Sequence, residues 1–226
     1  MQGVTNHEPT MTVQVAPARR PKTRERILDA CLSLFNERGP VVVTTAEIAS
    51  AVGIQEGNLY YHFHRKEQIL EALFDNFERA LRDTSVADLA QGDAPNRFAG
   101  YLSGWFNLMW EWRFFYRDAA SIYGLAPTLR LRTEALADDG QHHVRRVFGA
   151  MQAQGLLRAT PEQLDHLVVN TWIVATYWID YLRSRHGIDA IKREHINWGA
   201  SQLMSLFSPF LTQVGIGLLN IQPSEG

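Results

Sequence analysis

The stretch 44–63, TTAEIASAVGIQEGNLYYHF, constrains this chain more tightly than any other. Two short helices can cross steeply only under three conditions: a small residue where they meet, a residue tolerant of positive φ in the turn, and apolar side chains on each inner face. Ala49 and Gly53 meet the first two conditions, and Ile48, Val52, Ile54 and Leu59 meet the third. Thr44 and Glu47 have the S/T-x-x-E spacing in which a hydroxyl and a carboxylate satisfy the free amides of a helix start. The spacing predicts one helix ending near Val52, a turn at Gly53, and a second helix that stops before His64-Arg65.

The flanks are helical as well. Ile27, Cys31, Leu34 and Phe35 recur at i, i+4, i+7 and i+8, predicting a helix from about Thr23 to Arg38 that Gly39-Pro40 ends. From Lys66 onward, Ile69, Leu70, Leu73, Phe74, Phe77 and Leu81 mark a fourth helix of about twenty residues. After the QGDAPN loop no alternating run or Asn-Gly hairpin signals a strand, and further helices are expected at about 95–112, 114–122, 125–155, 161–186 and 189–212. Pro127, Gly155 with Pro161, and Gly187 punctuate them. The fold class is all-α.

An apolar content of 46% over 226 residues is enough for a sizeable core. The single cysteine, Cys31, excludes a disulfide framework or thiolate cluster built from this chain alone, and a reducing, cytoplasmic location is expected. Residues 1–18 have neither the basic start nor the apolar run of a signal peptide and read as a tail. Leu167 to Ile179 is interrupted by Asn170, Thr171 and Thr176, so a membrane span is not expected. A net charge of −2 argues against a general polyanion binder, although Arg19, Arg20, Lys22, Arg24 and Arg26 cluster locally around a single acid, Glu25.

Catalytic patterns are lacking: there is no glycine-rich phosphate loop, no G-x-S-x-G and no H-E-x-x-H. His62 and His64 would point to different faces of a helix, and His142-His143 has no cysteine nearby. Neither an enzyme, a metal site nor a cofactor is expected.

RERILDACLSLFNERG, VTTAEIASAVGIQEGNLYYHF and RKEQILEAL together resemble the amino-terminal domain of the tetracycline-repressor (TetR) family of bacterial transcriptional regulators. The resemblance implies an N-terminal three-helix helix-turn-helix DNA-binding domain at 21–82, with the motif at about 45–64. It also implies a larger C-terminal helical ligand-binding and dimerisation domain at 83–215, between tails at 1–20 and 216–226. In such a motif the second helix enters the major groove while its neighbours hold phosphates. Gln55, Glu56, Gly57, Asn58, Tyr61 and His62 lie on that helix, and Gln55 and Asn58 carry amides able to pair with adenine. Tyr60, Tyr61, His62 and Lys66 are expected at phosphates, and Thr45 matches the family's phosphate-contacting hydroxyl. Leu59 and Phe63 are expected inside. The chain departs from the family pattern at position 55, where Gln replaces the usual capping Ser or Thr, and at position 46, where Ala replaces a residue often basic. An amino-terminal arm from Arg19 to Arg26 could compensate.

The C-terminal half is rich in aromatics, with seven in WFNLMWEWRFFY and four in WIVATYWIDYL. Core and dimer interface account for most such residues. The resemblance implies in addition a pocket for a small, apolar or aromatic effector, with Trp105, Met109, Trp110, Phe114, Trp172, Tyr177 and Trp178 as its candidate lining. Asn170, Tyr177 and Asp180 offer polar contacts. The helices near 161–186 and 189–212 have broad apolar faces, and a homodimer through them matches the two half-sites of a palindromic double-stranded DNA operator. The expected function is a repressor released by its effector. The alternatives are a regulator controlled by a protein partner, or a helical ligand-binding protein that no longer binds DNA.

Overall fold

The computed structural model describes residues 22–85 and 94–218. Eleven helices are present among them: α1 Thr23–Arg38, α2 Thr45–Val52, α3 Glu56–His62, α4 Lys66–Ser85, α5 Ala94–Glu111, α6 Arg113–Arg117, α7 Ala119–Leu125, α8 Thr128–Ala153, α9 Pro161–His186, α10 Arg193–Phe207 and α11 Gln213–Leu218. Outside the helices, Leu157 and Leu211 form an isolated antiparallel bridge. The expected tail at 1–20 lies outside the described residues.

Local chemistry explains the boundaries. The Thr44 hydroxyl accepts from the Glu47 amide at 3.2 Å, and Glu47 Oε2 accepts from the Thr44 amide at 2.7 Å, the reciprocal pair that the spacing predicts. Gly53 closes α2 at φ 71°, a left-handed conformation that costs a residue with Cβ about 1 kcal/mol. Thr160 and Gln163 repeat the reciprocal cap ahead of α9, with Pro161 as its first residue.

The expected helix at 114–122 is divided, because Asp118 leaves helical geometry (φ −114°, ψ 19°) between α6 and α7. The expected helix at 189–212 is shorter. It gives way to a 3-10 turn at Ser208–Phe210, where Pro209 has no amide to donate. The chain then turns into α11, which periodicity did not anticipate and which extends past the predicted start of the C-terminal tail at 216. Gly215 packs there against the Leu156 carbonyl, too close for a Cβ.

One apolar core joins the helix-turn-helix head to the adjoining part of the body. Ile27, Cys31 and Phe35 of α1, Ile48 of α2, Leu59 of α3 and Ile69, Leu73 and Phe77 of α4 are continuous with Trp112, Phe114, Ile122 and Leu129. Phe35 and Phe114 meet edge to face with centroids 5.7 Å apart. Beside them the buried Asn36 side chain donates to the Glu111 carbonyl at 2.7 Å and accepts from the Phe114 amide at 3.1 Å, spanning the break between α5 and α6. The far end of the body has its own cluster around Val147, Phe148, Leu167 and Phe207. Two tryptophans of α9 seat on glycines of its neighbours. A Cβ on Gly199 of α10 would lie 2.8 Å from Trp178 Cδ2, and one on Gly140 of α8 would lie 2.7 Å from Trp172 Cη2.

Candidate nucleic-acid interface

Helix α3 crosses α2 at the Gly53 turn, where the Ile54 amide donates to the Ala49 carbonyl at 3.0 Å. Leu59 and Phe63 are buried on its inner side, which leaves Gln55, Glu56, Gly57, Asn58, Tyr60 and Tyr61 outward. Tyr61 is 80% exposed and meets the half-buried His62 edge to face at 5.3 Å. So much aromatic surface at the tip of a small head is costly in water unless a partner covers it. Gln55 occupies the cap position of α3 without a capping hydrogen bond, so its amide remains available. A Cβ at Gly57 would meet no atom within 4 Å, so the fold does not require glycine there.

Thr45, Glu56 and Tyr60 come together between the two helices. The Thr45 hydroxyl donates to Glu56 Oε1 at 2.6 Å and lies 3.3 Å from Tyr60 Oη. No local spacing announced this cluster, because Thr45 and Glu56 lie 11 positions apart on different helices and meet only through the Gly53 turn.

Lys66 departs from expectation. Its amine is directed into the loop after α1, where it donates to the Pro40 carbonyl at 2.8 Å, the Val43 carbonyl at 2.5 Å and, more weakly, the Val41 carbonyl at 3.5 Å. An ammonium has three protons, so none remains for a phosphate in this arrangement. Partial burial holds the Lys66 pKa below its ordinary value. The thiol of Cys31, also buried in the head, is pushed up to about 12 by desolvation.

Part of the basic cluster is likewise engaged within the head. The Arg24 guanidinium lies over the Phe63 ring, 4.9 Å from its centroid, and Arg26 donates to the Val52 carbonyl. Arg19 and Arg20 lie outside the described residues. Glu47 is held at about pKa 2, chiefly by the Thr44 amide and then by Arg38, which donates to it at 2.8 Å.

The seven residues expected around an effector fall into different surroundings. Phe114 is buried at the junction of head and body, while Met109 and Trp178 are buried in a separate cluster against which Trp105 and Trp110 pack. Trp172 is half-buried against Gly140, and Tyr177 is 58% exposed on the outside of α9. Trp110 also stacks with the Arg113 and Arg193 guanidinium groups at 4.1 and 5.3 Å. It lines an open cleft of about 450 Å³ between head and body, together with Asp29, Leu32, Ser33, Asn36, Asn107, Glu111 and Arg193.

Two family models match the chain. The model of bacterial regulatory proteins, tetR family, covers residues 27–73, and that of the TetR bacterial transcriptional repressor covers residues 64–215. The chain belongs to the TetR family. Like other TetR-family members it falls among regulators and not enzymes.

The repressor KstR2 of Mycolicibacterium smegmatis is 34% identical over 61 residues, 27% of this chain and 30% of that protein. This TetR-family chain thus aligns with about a third of the length of the curated relatives it matches. The crystal structure of a TetR-family transcriptional regulator from Marinobacter aquaeolei superposes with a TM-score of 0.77 at 28% identity, covering 88% of this chain and 97% of that one. AibR, solved with isovaleryl coenzyme A and operator DNA, shares the fold at a TM-score of 0.59 and 18% identity, over 84% of this chain and 100% of that one. No helix among the described residues is long and apolar enough to cross a membrane.

Proposed function

We propose that this TetR-family chain is a cytoplasmic, homodimeric transcriptional repressor that reads a palindromic operator with α3 and leaves it when a small apolar or aromatic effector binds the body. The observation that carries this reading is the outer face of α3. Gln55, Asn58, Tyr60 and Tyr61 stand exposed on a helix whose other side is locked into the core by Leu59 and Phe63. Amides suited to base edges and hydroxyls suited to phosphates on one projecting helix are what major-groove readout requires. Residues 21–82 form the reading head, and 83–215 respond to the effector and dimerise.

A second copy of the chain is the proposed partner of α9. Val169, Ile173, Tyr177 and Tyr181 recur every four residues along its exposed side, and Tyr181 stacks on Trp198 of α10 with centroids 5.9 Å apart and an interplanar angle of 3°. An apolar stripe running along a long helix supports a self-complementary two-fold contact. This assigns Tyr177 to the dimer face in place of the effector pocket.

The test is selection of bound fragments from the source genome by the purified protein, repeated with candidate apolar ligands. Enrichment of a two-fold symmetric site that a ligand abolishes supports the reading. Enrichment that no small molecule alters would favour control by a protein partner, a reading also supported by the close packing of Met109, Phe114 and Trp178. Absence of any enriched site would overturn the reading.

A further inference from the structure

Thr45 is the first residue of α2, Glu56 the first of α3, and Tyr60 stands one turn beyond Glu56. Thr45 has one hydroxyl proton, and a carboxylate accepts without donating, so the 2.6 Å contact places that proton on Glu56 Oε1. The 3.3 Å contact must then run in the opposite sense, with the Tyr60 hydroxyl donating to Thr45 Oγ1. Both hydroxyls that a phosphate would need are therefore donating inward, along a relay that ends on a carboxylate. A phosphate brought to them would also meet the negative charge of Glu56.

We propose that Glu56 is a specificity-determining gate. It withholds the Thr45 and Tyr60 hydroxyls from the DNA backbone until a base with an exocyclic amino group in the major groove draws its carboxylate outward. The inference rests on the placement of α3 in the groove proposed above. On the strand that Glu56 faces, cytosine N4 and adenine N6 present such a donor, whereas guanine and thymine present acceptors there, their partners' amino groups lying across the groove, and leave the gate shut. Release of the carboxylate frees the Thr45 proton directly and unties the relay that orients Tyr60, whose hydroxyl can then turn with it, so the phosphate grip depends on the base beneath it. The gate thus lowers affinity for non-operator DNA, and base reading is coupled to backbone anchoring within one three-residue cluster.

Glu56 and Tyr60 are exposed and Thr45 is half-buried, so substitutions here act on the surface of the head. The experiment uses the full chain and two duplexes: one enriched by the wild type from a randomised library, and a scramble of it with the same length and composition. Glu56→Ala is expected to bind the scrambled duplex about tenfold more tightly than the wild type does, with a matching loss of discrimination. In a Thr45→Val, Tyr60→Phe background the same substitution is expected to change that affinity less than about twofold, because no hydroxyl remains to be released. An unchanged discrimination ratio in Glu56→Ala overturns the gate, as does an undiminished gain in the Val/Phe background, which would reduce the effect to simple charge removal. A wild type that enriches no duplex overturns the placement of α3 and the gate with it.

Discussion

Arg117, the last residue of α6, donates from Nη1 to the carbonyl of Asn36 at 2.8 Å, and from Nη2 to that of Phe35 at 2.7 Å. These carbonyls belong to the last turn of α1, where a cation both satisfies exposed acceptors and complements the helix dipole. Asp118 holds the guanidinium at 2.6 Å, and the Arg117 carbonyl accepts from Arg183 of α9 at 2.8 Å. Head and body are thereby tied through a buried charge. The Phe35 carbonyl keeps the Gly39 amide at 2.8 Å, but replacing Arg117 with Met strands the Asn36 carbonyl and the Asp118 carboxylate, and should lower unfolding free energy by about 3 kcal/mol. Urea denaturation would measure this, and a loss below about 0.5 kcal/mol would refute the tie.

Lys66 separates two kinds of contribution to DNA affinity. A lysine that neutralises a phosphate contributes about one to the slope of log affinity against log salt. Because this amine is directed to the Pro40, Val41 and Val43 carbonyls, Lys66→Met should weaken DNA binding and lower the melting temperature while leaving the slope unchanged. A slope reduced by about one would restore the phosphate contact expected from sequence.

Gly57 should dissociate stability from binding. Alanine is favoured over glycine by roughly 0.5–1 kcal/mol inside a helix and by less in its first turn, where Gly57 lies, and the site has room for its methyl group. Gly57→Ala is therefore expected to raise the melting temperature and to weaken operator binding, because the methyl group occupies the face that must approach the duplex. Calorimetry and a binding titration on the same preparation test both halves, and tighter DNA binding would place this face away from the groove.

Glu47 predicts an acid limb in the stability of the head. Its folded pKa of about 2 lies below the ordinary value of 4.5, so the cap contributes fully above about pH 4.5 and is lost as the pH falls toward 2. Glu47→Gln should destabilise the protein at neutral pH, and its melting temperature should converge with that of the wild type near pH 2. A gap that stays constant across this range would show that the carboxylate charge is not what caps α2.

What the amino-acid sequence determined by itself was local. The α1, α2 and α9 boundaries, the Gly53 turn and the inward placement of Leu59 and Phe63 follow from spacings of three or four residues, because hydrophobic periodicity and capping act within a helical turn or two. The division of labour among polar side chains was decided only when distant segments met. Lys66 and Pro40 are separated by 26 positions and Arg117 and Phe35 by 82, and nothing in either local pattern selects the other. The aromatic residues of the C-terminal half divided in the same way. The family resemblance offered Phe114, Trp178 and Tyr177 alike as pocket lining, and only the packing of α6 on α1 and of α9 on α10 buried the first two and left the third on the surface. A side chain's type states which contacts it can make, whereas its neighbours across the fold determine which of them it makes.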